Sequence, residues 1–432
     1  MTSEVAVMNR LSVALAADSA STVSGANGSE KIWNSANKLF ALSRSEPVGF
    51  MFYNDASLVG IPWETLLKDF RSSSLGVKTF DTLDEYAHSF IEYLKSNIDY
   101  FSPPAQAKYY SMLVRGRFNG LSTRALNEFF ESLADPQHPS REDVLASVIA
   151  GERDRWSKTE KLQVVGDKLE SDVGTTYQQE IEEAISGSFE GSALADASKD
   201  ALRELAVFYV SRKNFGSDYT GLVFAGFGRK ELFPALRHFQ MGPIVLGLLR
   251  YEDKETVTIS EQTPSIIKPF AQSDMVETFL NGMSPKFNST FLRSCVLTTS
   301  KMADLVVDAI DDLTEVQKTH WKAAVSSKAD EVLKEVFKAV SEHQIGSHWS
   351  PIHRALVHLP KDEVANVAEA LVNLNSFQKR VSMDSETVGG PIDVAVISKG
   401  DGFVWIKRKH YFAAELNPQF FMGLKKQHGG GA

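Results

Sequence analysis

The 432-residue sequence predicts an α+β protein, with sheet packed on sheet inside and helices outside. Strand-like runs fall into three separated groups. Helix-forming runs lie between them, giving the order strands, helix pair, strands, helix pair, strands. Apolar residues at 43% and charged residues at 23% describe a chain able to bury a sizeable core.

Residues 3–8 and 11–17 are β-branched and alanine-rich runs meeting at Asn9-Arg10, which reads as a hairpin. S-G-A-N-G-S at 24–29 is a turn-rich loop, and strands fit 38–43 and 48–53. Pro62 suits a helix N-terminus, and W-E-T-L-L-K-D-F-R has helical spacing that ends near Gly76. Asp81 or Thr82 can cap a second helix that aligns Leu83, Tyr86, Phe90 and Leu94. Residues 102–217 then turn to helix formers without a convincing strand. Strand character returns at 220–226 and continues through L-F-P-A-L-R-H-F, P-I-V-L-G-L-L-R and E-T-V-T-I. A short helix fits 273–283, a second helical block runs to about residue 343, and another helix spans 362–379. The last strands, I-D-V-A-V-I-S and F-V-W-I-K, flank K-G-D-G, a turn sequence. The expected core therefore comprises 1–100, 218–283 and 350–420, with helical insertions at 101–217 and 284–349 and a disordered tail at 421–432.

Several classes of function are disfavoured. The net charge is −9, and no basic run offsets the 55 acidic residues, which argues against nucleic acid. No apolar stretch reaches the length of a membrane span. A lone cysteine, Cys295, rules out an internal disulfide and a cysteine-based zinc site, fits a cytoplasmic setting, and reads as a small core residue. His343, His348, His353 and His358 recur every five residues, which is not the spacing of a helical metal pair, so they read as surface or capping groups. F-G-R-K and S-G-S-F-E-G-S lack the lysine and spacing of a phosphate loop. Neither a cofactor nor a metal is implied. The faces carrying Leu126, Phe129, Phe130 and Leu133 read as internal core.

Chemistry concentrates in residues 2–40. Removal of Met1 would leave Thr2 with a free α-amine, uniting nucleophile and base in one residue. The hydroxyl is a poor nucleophile at neutral pH. An amine with an ordinary pKa of about 7.7–8.0 is substantially neutral there and can take its proton. Asp18 ends the second apolar run and Lys38 opens a third, so a tight β-meander brings both beside Thr2. A plainer reading stands beside this one: small second residues are common, and most Asp and Lys are solvated. L-S-V-A-L-A-A before D-S-A also imitates a secretory signal. Glu4 in place of positive charge and the short apolar run argue against that.

Three blocks resemble the proteasome β-subunits and their bacterial peptidase relatives among the N-terminal nucleophile (Ntn) hydrolases. The first is Thr2, the step to Asp18 in D-S-A-S-T, and N-K-L-F around Lys38. The second is T-G-L-V-F-A-G with A-Q-S-D-M downstream, which places Ser273 near the family's serine. The third is the helix from L-P-K-D-E, then M-D-S-E-T-V-G-G-P-I-D-V-A-V-I-S-K-G-D-G-F-V. Roughly half of the chain is covered. The resemblance implies a four-layer α-β-β-α Ntn-hydrolase sandwich, proteasome subunit-like, with two helical insertions. It further implies a cytoplasmic threonine peptidase or amidohydrolase acting on peptides or polypeptides. In that reading Thr2, Asp18 and Lys38 are catalytic, Ser273 and Asp384 hold the amine, and an extended substrate lies near Thr22. A backbone N–H near Asn54 supplies the oxyanion contact. It also implies a homo-oligomer, with a ring possible and an ATP-dependent unfoldase as a possible partner. Departures from the family pattern leave Lys31 as an alternative to Lys38 and Ser385 as an alternative to Asp384. F-Y-N-D also replaces the family's glycine-rich turn. The alternative function is a catalytically inactive proteasome-like scaffold or binding subunit.

Overall fold

Asn9 closes the first hairpin with its side chain, whose Oδ1 accepts from the backbone N–H groups of Leu11 and Ser12. Strands Ser3–Asn9 and Val13–Ala17 leave this turn in an antiparallel register that sets Glu4 opposite Ala17. In a computed structural model, which describes residues 2–24, 30–163, 168–216, 218–310, 313–382 and 388–419, the chain is α+β, with two five-stranded antiparallel sheets. It divides into two compact units, Met1–Leu39 with Ile259–Ala432, and Phe40–Thr258. The 101–217 helices therefore belong to the second unit and the 284–349 helices to the first.

The sheet of the first unit runs Ser265–Ala271, Ser3–Asn9, Val13–Ala17, Asp393–Ser398, Gly402–Lys407. The strand beginning at Asp393 thus shares a sheet with the one that follows Thr2. Its helix-bearing face presents Val5, Val7, Ala14, Ala16, Val394 and Val396. Val364, Ala368, Leu371 and Val372 of helix Lys361–Val381 bury against them, together with Val276 and Leu280 of helix Asp274–Asn281. Small residues on the central strand let that helix approach closely.

In the second unit the order is Tyr251–Thr258, Ala235–Met241, Thr220–Gly226, Val48–Asn54, Leu39–Ala41. Phe50 and Phe224 lie 5.1 Å apart and Phe90 sits 5.5 Å from Phe50, in a core that includes Trp63 and Phe70. Helix Leu83–Ser96 begins at Thr82 in a full capping box with Glu85. A separate core of Tyr110, Phe118, Ile149, Trp156 and Tyr209 holds the helices between residues 103 and 211 together.

Four expectations need correction. P-I-V-L-G-L-L-R is not a strand but a turn closed by Val245 and Leu248, because Leu246 and Gly247 both take positive φ. Strand Ser265–Ala271 went unforeseen because Pro269 interrupts its pattern; it occupies a sheet edge, where a missing N–H is tolerated. His353 is buried, stacked on Trp349 at 3.8 Å and against Ser265, rather than on the surface. Phe130 and Leu133 are exposed rather than core, whereas Leu126 and Phe129 are half-buried and Phe129 packs against the helical core. Cys295 is half-buried on helix Pro285–Asp308. The 25–29 part of the predicted loop and the 421–432 tail lie outside the described residues. Among the described residues, no helix is long and apolar enough to cross a membrane.

Candidate active site

The hairpin register carries the end of the second strand back to the start of the first, so the Asp18 backbone N–H donates to the Ser3 carbonyl at 3.1 Å. Asp18 then curls onto the chain around Thr2. Its Oδ1 accepts from Thr2 Oγ at 2.8 Å, from the Ser3 N–H at 3.1 Å and from Lys38 Nζ at 2.7 Å. Its Oδ2 accepts from the Gly389 N–H at 3.0 Å and the Ala20 N–H at 3.3 Å. Lys38 also donates directly to Thr2 Oγ. Exposures of 4%, 1% and 6% for Thr2, Asp18 and Lys38 place the whole cluster out of bulk water. A buried ion pair is costly unless its remaining lone pairs are used, and the bonds to Asp18 meet that condition.

Three further segments set the cluster's position. The Gln272 N–H donates to the Thr2 carbonyl at 3.0 Å, fixing the backbone before the first strand. Asn375, on helix Lys361–Val381, donates to Ser3 Oγ at 2.7 Å and to the Gln272 carbonyl at 2.9 Å, so one amide clamps both strands. The Gly389 carbonyl accepts from the Ser19 N–H and Ser19 Oγ donates to the Pro391 carbonyl, which seats the Gly-Gly-Pro segment against Asp18. Gly390 has φ +77°, and a Cβ there would lie 2.8 Å from Asn34 Cβ, so only glycine fits.

Of the residues expected at the site, Thr2, Asp18 and Lys38 come together. Lys31 does not join them: it is exposed and lies over the Trp33 ring at 5.1 Å. Ser273 follows Gln272 directly, yet its Oγ donates to Glu277 one turn along its own helix. Thr22 sits in a two-stranded ribbon, paired with Ile32. Asn54 ends a strand of the second unit with φ 69°. Asp384 and Ser385 lie outside the described residues. Asn375 escaped the sequence reading, since an asparagine inside a helical run carries no mark of a clamp.

Glu4 is the other residue that the sequence reading passed over. It is fully buried, and among the described residues neither carboxylate oxygen has a hydrogen-bond partner. Burial pushes its carboxyl well above the usual range; the Lys38 charge opposes this and the Asp18 charge adds to it. Among the described residues, no cluster of histidine, cysteine or carboxylate side chains is arranged to hold a metal ion. No protein-family model matches the chain, and no curated protein is significantly similar to it.

Proposed function

We propose that the chain is a cytoplasmic threonine hydrolase that cleaves peptide or amide bonds with Thr2 as its nucleophile. The observation that carries this reading is the buried contact of one hydroxyl with both a lysine ammonium and a carboxylate that accepts five hydrogen bonds. A threonine needed only for packing would not require a charge on its oxygen. In the reaction the Thr2 α-amine, freed by removal of Met1, takes the Oγ proton directly or through water. The oxygen forms a bond to the carbonyl carbon, and the electron pair of the C=O moves onto its oxygen. On collapse the amine returns the proton to the departing nitrogen and an ester remains on Thr2. Water, deprotonated by the same amine, then attacks the ester carbon; the bond to Oγ breaks, the amine returns the proton to Oγ, and the acid is released. Lys38 stabilises negative charge on Oγ throughout, and Asp18 holds Lys38 and Thr2 in register.

With this chemistry we propose the four-layer Ntn-hydrolase sandwich, supported by the helix layer that each five-stranded sheet carries on one face. Residues at Ser273 and Asp384 holding the amine, and the Asn54 N–H serving the oxyanion, belong to the same proposal. So do a homo-oligomer of this chain and delivery of substrate by an unfoldase. Light scattering at micromolar concentration is expected to give a multiple of the chain mass; a monomer would remove the oligomer from the proposal.

The function itself is tested by mass spectrometry. The purified protein is expected to lack Met1 and to take up a threonine-directed electrophile at Thr2. Thr2→Ala should abolish both labelling and peptide hydrolysis, and Thr2→Ser should keep part of each. Retained Met1 would leave the inactive-scaffold reading in its place, and hydrolysis unchanged in Thr2→Ala would refute Thr2 as the nucleophile.

A further inference from the structure

Alternate residues of a strand face the same side, so Glu4 lies on the face that Thr2 occupies, about 7 Å along the chain from it. Its cross-strand neighbours are Ala17, which leads directly into Asp18, and Phe270. Other ionisable groups on this face are Lys268, diagonal on the strand that carries Phe270, and Asp393, which lies beyond Ala17 and is bonded to Lys409. Burial gives the largest push on the Glu4 carboxyl, upward; the Lys38 charge lowers it and the Asp18 charge raises it, each by less. The arrangement is unusual, because a side chain sealed from water with both oxygens idle gains nothing as a carboxylate and costs the fold stability. Such costs collect where chemistry needs them.

We propose that Glu4 positions Lys38: as a neutral acid it leaves the ammonium on Thr2 Oγ and Asp18, and as a carboxylate it draws the ammonium away from the hydroxyl. Geometry supplies the competition. Lys38 donates to two acceptors, and Asp18 is satisfied by four other donors if Lys38 turns aside. Thr2 Oγ, by contrast, loses its only cationic donor among the described residues. The sign follows from burial: Glu4 keeps its proton at low pH and releases it to water only above the ordinary carboxylate range. Lys38 is therefore in place at lower pH and withdrawn at higher pH. Only the catalytic consequence rests on the threonine-hydrolase reading; the movement of Lys38 does not.

The test is an NMR titration of the full chain carrying isotope-labelled lysine, between about pH 5 and about pH 9. The Lys38 side-chain signal is identified by its loss in Lys38→Arg. A step in that signal, above the ordinary carboxylate range, is expected in the native sequence and absent in Glu4→Gln. Glu4→Leu serves if the glutamine variant does not fold. A Lys38 signal that does not respond in the native chain, or an identical step in the variant, overturns the proposal. Where Thr2 is labelled by an electrophile, the rate should fall about tenfold per pH unit above the step, and this fall should vanish in Glu4→Gln. Absence of labelling in every chain, with the Lys38 step intact, would mean that the hydrolase reading fails and the Glu4 proposal survives.

Discussion

Replacing Lys38 with methionine is expected to slow acylation of Thr2 by roughly 10²–10³-fold, the range found when one preorganised electrostatic contact is removed from a reacting oxygen. Methionine keeps an unbranched chain of similar length and deletes the charge together with the hydrogen bonds that Lys38 donates to Thr2 Oγ and Asp18. The loss should fall on kcat and on kcat/KM alike, because the ammonium matters most when Oγ carries negative charge. Stability should change far less. Asp18 keeps its bonds from Thr2 Oγ and from the Ser3, Ala20 and Gly389 N–H groups, so its carboxylate is not stranded. Lys38→Arg keeps the charge but presents a planar fork to a position built for a point donor, and should recover only part of the rate. Single-turnover labelling beside a denaturant titration checks both halves of the prediction. Near-native labelling in Lys38→Met would remove Lys38 from the chemistry.

Thr2 and Asp18 were legible together because their relation is local. Two antiparallel strands joined by a tight turn return Asp18, sixteen residues on, to Thr2, and Asn9 makes the turn with its own side chain. Lys38 was legible as the start of a third apolar run and through its motif, but the ribbon between residues 21 and 33, which has to be crossed before it arrives, left Lys31 as an alternative. What escaped depends on distant partners. Ser265–Ala271 reads poorly as a strand because Pro269 breaks the pattern, and only its place at a sheet edge makes proline harmless. Asn375 clamps the site from a helix more than three hundred residues away, and nothing in V-N-L-N-S-F says so. Glu4 was the hardest to read. A glutamate in a strand is ordinarily solvated, and here both faces of its strand are covered. The G-G-P segment stood out as a motif, but its hold on Asp18 through the Gly389 N–H needs the fold to be seen.

The opposite member of the pair should behave in the opposite way. Asp18→Ala is expected to cost on the order of 3–5 kcal/mol, because removing one partner of a buried pair leaves the other charge uncompensated. That is a large fraction of the roughly 5–15 kcal/mol that holds a typical domain folded, so the first unit should unfold well before the second. The charge is only part of the cost. The N–H groups of Ser3, Ala20 and Gly389 lose their acceptor inside the protein, and the Gly-Gly-Pro segment loses one of its contacts with the rest of the site. Asp18→Asn cannot rescue this arrangement. Both native oxygens face donors, so either orientation of the amide turns an NH₂ group towards N–H or ammonium hydrogens. Adding Lys38→Met to Asp18→Ala removes the stranded ammonium, and the double variant should recover about 0.5–3 kcal/mol relative to the sum of the single changes. Denaturant titrations of the native chain, both single variants and the double variant complete the cycle. Additive losses would mean that Lys38 and Asp18 are not coupled, and that the Asp18 effect comes from its backbone partners alone.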